Sequence, residues 1–188
     1  MRKVVSTVFV SLDGVVEAPD QWSLSYWTPE LERAVGTAVA DADAMLLGRI
    51  TYEGFAGVWP GGTNADDPGA EFLNSVRKYV ASTTLASAGR HDTTLLRGDL
   101  GAAITDLKNQ PGGTIMTSGS TTLVRWLLAH GLVDELTLVQ YPVVVGGGRR
   151  LFPLEGPPLD FALARSTAFA NGVLQLVYRP ARACPVSG

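Results

Sequence analysis

Three short stretches hold most of the residues whose types and spacing could do chemistry: "TSGSTT" at 117–122, "LGRIT" at 47–51 and "ASTT" at 81–84. Each sets small polar side chains directly after an apolar run of strand length. Where a strand ends in Gly and a helix starts at once, unpaired backbone N–H groups collect at the helix's positive end, and neighbouring hydroxyls donate to an anion without needing much room. Phosphate binding is the chemistry this permits. Amides from about Ser118 to Thr122, with Gly119, Ser120 and Thr121 at their centre, can surround one group. Gly48, Arg49 with its forked donors, and Thr51 can meet another. Ser82 and Thr83 can reach a ribose or its 2′-phosphate. Each stretch has a plainer reading as well: Ser120 or Thr121 caps the following helix, an Arg after a strand makes a local ion pair, and Ser/Thr-rich segments form turns. Three such strand ends in one chain favour a long anionic ligand.

Positioning them requires strands that alternate with helices, and the chain supplies both. "KVVSTVFVSLDG" reads as a strand running into a loop. "TPELERAVGTAVADA" reads as a helix, with Thr28 as cap, Pro29 at the first position, and Leu31, Ala34, Val35, Ala38, Val39 and Ala42 on one face. A short buried strand, "AMLLG", precedes a helix over "RITYEGFAGVW" and the turn-rich "PGGTNADDPGA". Next come a helix over "EFLNSVRKY", strands over "YVASTTL" and "TTLLRG", a helix over "DLGAAITDLKNQ" and a strand over "GGTIMTSG". The helix with Leu123, Val124, Leu127 and Leu128 on its apolar face closes at Gly131, before a long strand over "ELTLVQYPVVVGGG". At the end, "FALARSTAFA" and "VLQLVYRP" flank Asn171 and Gly172, a strong hairpin signal. The expected architecture is an α/β mixed, mostly parallel sheet flanked by helices, with a C-terminal antiparallel hairpin.

Composition narrows the class. With 188 residues, 46% of them hydrophobic, the chain suits one domain, expected over 1–180, with 181–188 as a flexible tail. The 15 basic and 18 acidic residues give a net charge of -3 without a basic block, which argues against nucleic acid as partner. One cysteine, Cys184, excludes an intrachain disulfide and every multi-cysteine metal motif, and His91 and His130 stand alone, so no metal is expected. No run reaches the length of a membrane span. The positive N terminus before an apolar run imitates the start of a signal peptide, but the run is short and reaches Asp13 without a cleavage pattern, so a cytoplasmic protein is expected.

Taken in order, "VFVSLDGVV", "MLLGRITYEGF", "VAST", "MTSGSTTLVRWLLAHGLVDELTLVQYPVVVGGGRRLF" and "NGVLQLVYRP" resemble the dihydrofolate reductase-like superfamily. More closely, they resemble its stand-alone bacterial members related to the reductase domain of riboflavin biosynthesis. The resemblance spans roughly residues 3 to 179 and implies bound NADPH and hydride transfer to a heterocyclic substrate. It places Gly48, Arg49 and Thr51 at cofactor phosphates, Ser82 and Thr83 at the adenosine ribose and 2′-phosphate, and Gly119, Ser120 and Thr121 at the pyrophosphate. Ser11, Asp13 and Gly14 match the segment that covers nicotinamide and substrate, with Asp13 as the catalytic candidate. Its plainer role is to cap the turn into Gly14.

On the substrate side, Trp22, Tyr26 and Trp27 form either an aromatic wall for a flat substrate or a small satellite core. Glu30, in the first turn of its helix, stands near where true dihydrofolate reductases hold the pterin with an acid, and it equally serves the helix dipole. Riboflavin-type enzymes also grip a ribose phosphate with basic residues, a role left open among Arg33, Arg149 and Arg150. The leading expectation is an NADPH-dependent reductase of a pterin or aminopyrimidine type of small molecule, acting on a C=N or C=O bond. The alternatives are a nucleotide-binding protein without efficient turnover and a structural or interaction protein. A homodimer is expected: the run Leu136–Val145 carries more apolar side chains than a one-faced strand needs, its second face calls for cover from a flanking helix or from a second subunit, and the resemblance to riboflavin-type reductases implies pairing.

Overall fold

The computed structural model describes residues 1–58, 68–89 and 92–181. His91, Cys184, most of the turn-rich loop after "RITYEGFAGVW" and all but Ala181 of the expected tail lie outside them.

The strands are β1 (Val4–Ser11), β2 (Ala42–Gly48), β3 (Arg77–Ala81), β4 (Thr93–Leu96), β5 (Thr114–Ser118), β6 (Glu135–Tyr141), β7 (Phe161–Ala168) and β8 (Leu174–Pro180). They form one eight-stranded sheet in the order β4-β3-β2-β5-β1-β6-β8-β7. Every pairing from β4 to β6 is parallel, while β6 with β8 and β8 with β7 are antiparallel. The Asn171–Gly172 hairpin is where the sequence places it, closed by Gly172 N–H to the Phe169 carbonyl at 2.9 Å.

The helices are α1 (Pro29–Val39), α2 (Arg49–Val58), α3 (Pro68–Ser75), α4 (Leu100–Asn109) and α5 (Thr121–Ala129). Two single-turn 3₁₀ segments, Pro19–Gln21 and Leu24–Tyr26, precede α1. Thr28 caps α1, its Oγ1 accepting the Leu31 N–H at 3.2 Å, and Asp99 caps α4 through the Ala102 N–H at 3.0 Å.

Strand alternation assigns the core. Val4, Val8 and Val10 of β1 and Leu46 of β2 face α4 and α5, packing with Ile104, Leu107, Leu123, Val124 and Leu127. On the opposite face, Met45, Leu47 and Met116 pack with Tyr52 of α2, and Val139 and Tyr141 pack with Leu31 of α1. From Ala44 to Leu47, β2 is buried on both faces, as a central parallel strand under two helical layers must be.

Several element boundaries differ from the expectation: the helix expected to run through Ala42 ends at Val39 and Ala42 already opens β2, and the strand expected over "YVASTTL" ends at Ala81. The helix expected over "EFLNSVRKY" ends at Ser75, and Arg77 to Tyr79 already belong to β3, where Lys78 and Val80 point inward in strand alternation. The strand expected over "ELTLVQYPVVVGGG" stops at Tyr141. Pro142 has no N–H for the ladder, and the Val143 N–H turns back to the Tyr141 carbonyl at 2.8 Å, ending the strand in a tight three-residue turn. Val144 is then 67% exposed, and the far face of β6 is covered by the chain's own α1 cluster, so this run by itself supplies no reason for a second subunit. Among the described residues no helix is long and apolar enough to cross a membrane.

Candidate functional site

At the carboxyl ends of the strands lies a cleft of about 890 Å³, within the range of small-molecule and cofactor sites. The strand order arranges its lining. Leu96, Arg97 and Gly98 follow β4; Ala81, Ser82, Thr83 and Thr84 follow β3; Gly48, Arg49 and Thr51 follow β2; Gly119 to Leu123 follow β5; and Val16, Glu17 and Ala18 follow β1, opposed by Arg149. From β4 to β1 is four strand spacings, about 19 Å at about 4.8 Å apiece. All the residues that the sequence sets at cofactor phosphates and ribose therefore come together in one elongated groove.

Its centre is built by Ser120, in a way no local pattern shows. Gly119 and Ser120 both take left-handed backbone, with φ of +62° and +43°. This reverses the chain tightly between β5 and α5 and swings the Ser120 hydroxyl away from its own helix, which it does not cap. The hydroxyl accepts the Gly48 N–H at 2.9 Å, and the Ser120 N–H donates to Thr51 Oγ1 at 3.1 Å. Ser120 thus ties the β2–α2 and β5–α5 turns to each other. The first N–H groups of α5 lack partners within the helix by geometry and have no side-chain cap, and Thr121, Thr122 and Leu123 border the cleft. Arg49 stands at the start of α2, its guanidinium 2.8 Å from Glu53 one turn on, with both side chains partly exposed.

At the β3–β4 end, Ser82 Oγ accepts the N–H groups of Thr84 and Leu85 at 3.2 and 2.9 Å, closing its own turn. Arg97 crosses from β4 to hold that turn, donating to the carbonyls of Leu85 and Ala86 at 2.8 Å each. Sequence reasoning passed over Arg97. The available signal was its place directly after a strand, the same that drew attention to Arg49.

The β1 end is a two-stranded ribbon of 11–17 against 143–151. Val16 N–H donates to the Arg149 carbonyl at 2.8 Å, Leu151 N–H to the Gly14 carbonyl at 3.2 Å, and Val15 bridges Arg150. Asp13 fastens it: its carboxylate accepts from Ser11 Oγ at 2.6 Å, Val145 N–H at 3.1 Å and Gly146 N–H at 2.9 Å, while Arg150 donates to the Asp13 carbonyl. The Ser11 hydroxyl, helped by the Val145 and Gly146 amides, holds the Asp13 carboxyl down at about 2. At neutral pH it is a carboxylate, suited to orient neighbours and without a proton to give. Ser11, Asp13 and Gly14 support the ribbon from outside the cleft lining.

The substrate-side candidates lie elsewhere again. Trp22 and Tyr26 pack edge-on around the buried Tyr141 with ring centroids 5.6 and 5.8 Å away, and Trp27 leans on Phe9 at 6.0 Å. Trp22 and Tyr26 thus form the satellite core, Trp27 remains exposed, and none of these three rings lines the cleft. Glu30 is exposed on the first turn of α1. Burial pushes the Tyr141 hydroxyl up to about 12, removing it as a proton source near neutrality. Among the described residues no group of three or more His, Cys, Asp or Glu is placed to hold a metal ion. Arg149, one of the three candidates for a substrate phosphate, faces the cleft from the ribbon together with Glu17, which the sequence did not single out.

Comparison with known proteins matches the chain to a family. The family model for the RibD C-terminal domain covers residues 2–175. The chain is 25% identical over 182 residues to the uncharacterized protein YyaP of Bacillus subtilis (strain 168), covering 94% of each chain. Among solved structures, a putative riboflavin biosynthesis protein from Shewanella sp. PV-4 superposes with a TM-score of 0.76 at 21% identity, over 96% of this chain and 99% of that one. A diaminohydroxyphosphoribosylaminopyrimidine deaminase/5-amino-6-(5-phosphoribosylamino)uracil reductase of Thermotoga maritima superposes with a TM-score of 0.67 at 15% identity, over 96% of this chain and 57% of that one.

Proposed function

Because the chain belongs to the RibD C-terminal domain family, we propose that it is an NADPH-dependent reductase that transfers hydride to a small heterocycle of the pterin or aminopyrimidine type, reducing a C=N or C=O bond. The observation that carries the reading is the groove itself: an uncapped helix N terminus at its middle, with Arg97 and the Ser82–Thr84 turn at one end and the 11–17/143–151 ribbon at the other.

The residues present fit a dinucleotide. Thr121 and Thr122 at the start of α5, with Gly48, Arg49, Thr51, Gly119 and Ser120, are the set that would hold its pyrophosphate. Gly48 and Gly119 line the groove, and positive charge comes from the α5 dipole and from Arg49. Ser82, Thr83 and Arg97 would meet the 2′-phosphate, which makes NADPH the preferred form over NADH. When bound there, the nicotinamide supplies hydride, and the protein's work is to orient the acceptor and exclude water. Asp13 is a positioning residue in this reading. Through Ser11, Val145 and Gly146 it holds the ribbon at the acceptor end, and Gly14, with φ of +84°, supplies the left-handed backbone of the turn beside it.

The reading includes cytoplasmic work and a homodimer, with the contact moved from β6 to the exposed apolar side chains Phe152, Leu154, Leu159 and Leu163 around β7. Light scattering at micromolar concentration checks it: a mass of 19.9 kDa, independent of concentration, contradicts pairing. Calorimetry with NADPH and NADH, followed by turnover on pterins, aminopyrimidines and small quinones, tests the function. NADPH binding without turnover on any of them would favour a nucleotide-binding protein.

A further inference from the structure

Glu17 is the one carboxylate among the residues described as lining the cleft, and its surroundings are built to keep it there. Trp22 Nε1 donates to the Glu17 carbonyl at 2.9 Å, fixing the backbone, and the Arg149 N–H donates to Glu17 Oε2 at 3.0 Å, fixing the side chain. Gly148 makes that second contact possible. With φ at +118°, a Cβ there would come within 3.0 Å of Val15 Cγ1 and 3.3 Å of Glu17 Oε2, so only glycine lets the 148–149 backbone settle onto the carboxylate.

The Arg149 guanidinium stands beside it at 3.8 Å from Oε1, beyond hydrogen-bond length. Both side chains are about half exposed, at 48% and 51%, and an exposed pair of this kind contributes little to stability. The other charged groups at this end are already engaged: Asp13 with Ser11, Val145 and Gly146, and Arg150 with the Asp13 carbonyl. Glu17 and Arg149 therefore present an acceptor and a donor side by side, each with unused hydrogen-bonding capacity. They sit after β1 and in the loop beyond β6, the end farthest from Arg97.

A ring edge that carries an N–H next to a C=O is the complement of that pair. We propose that Glu17 and Arg149 form a dyad that selects and orients the acceptor, Glu17 accepting from its ring or amino N–H and Arg149 donating to the adjacent carbonyl. The proposal rests on the reductase reading for its location, since it assumes that the β1 end of the groove is left for the acceptor.

The test titrates 6-aminouracil, which has such an edge, into protein saturated with NADP+. Binding is expected in the wild type. Glu17→Gln, which keeps an oxygen for the Arg149 amide, and Arg149→Gln are each expected to weaken it at least about tenfold, as loss of a hydrogen bond to a charged group does, while NADP+ affinity stays within about twofold. Absence of 6-aminouracil binding in the wild type overturns the proposal, as does wild-type affinity in E17Q or a parallel loss of NADP+ affinity. If NADP+ itself fails to bind, the reductase reading falls, and the same titration without it decides the dyad by the same criteria.

Discussion

Replacing Ser120 probes the brace at the centre of the cleft, and two substitutions separate its two roles. Alanine removes the hydroxyl that accepts the Gly48 N–H at 2.9 Å in a part-buried position while keeping a side chain on left-handed backbone. A hydrogen bond of this kind is worth about 0.5–1.5 kcal/mol net, and up to about 3 kcal/mol if the stranded amide stays dry. About 1 kcal/mol lowers the melting temperature of a domain this size by about 2–4 °C. Glycine removes the same bond but also releases about 1–2 kcal/mol of left-handed strain, offset by about 0.5–1 kcal/mol of extra freedom in the unfolded chain. S120G should therefore lie between S120A and the wild type in urea and thermal unfolding. Both should weaken NADPH in calorimetry, because the β2–α2 and β5–α5 turns lose their tie. S120A as stable as the wild type would refute the brace, and S120G less stable than S120A would refute the strain argument.

Other expectations follow from the same contacts. Asp13 has its folded pKa lowered to about 2 from an ordinary 3.8, so its contribution to stability is complete above about pH 4 and is lost as pH falls toward 2. D13N should flatten that part of an acid-unfolding profile while keeping NADPH binding and losing most turnover; an unchanged profile would show that the carboxylate's contacts are not held in solution. R97A should weaken NADPH by about 10- to 100-fold and leave NADH nearly unaffected, as loss of a charge-assisted contact to a 2′-phosphate requires; an equal loss for both nucleotides would make Arg97 a brace for the 85–86 turn alone. L127A, at a fully buried position of α5, should cost about 2–5 kcal/mol in urea unfolding, and a smaller loss would mean that the core around it collapses readily.

Features governed by near neighbours were legible in the sequence. Thr28–Pro29 starts a helix because the hydroxyl and the ring act within one turn, and Asn171–Gly172 closes a hairpin for a similarly local reason. The three polar strand ends converge because parallel strands bring their carboxyl ends to one side, so the cleft's main residues could be named from pattern and resemblance. What escaped was set by distant parts of the chain. Ser120 looks like a cap but reaches 72 residues back to Gly48, and Asp13 finds its amides 132 and 133 residues ahead at Val145 and Gly146. Glu17 and Arg149 meet only because the ribbon folds one loop onto another. Trp22 and Tyr26 have the composition of a binding wall, and only the position of Tyr141 shows that they close around it. The early end of β6 has a local cause that apolar content concealed: Pro142 interrupts the ladder in the middle of an apolar run.

Calorimetric titration of the purified chain with NADPH and with NADH under identical conditions decides whether the groove along the strand ends holds NADPH. One NADPH site per chain is predicted, binding at least about tenfold more tightly than NADH because Arg97, Ser82 and Thr83 answer the extra phosphate. Equal affinity for the two would contradict the 2′-phosphate site, and heat from neither would contradict the reductase reading as a whole.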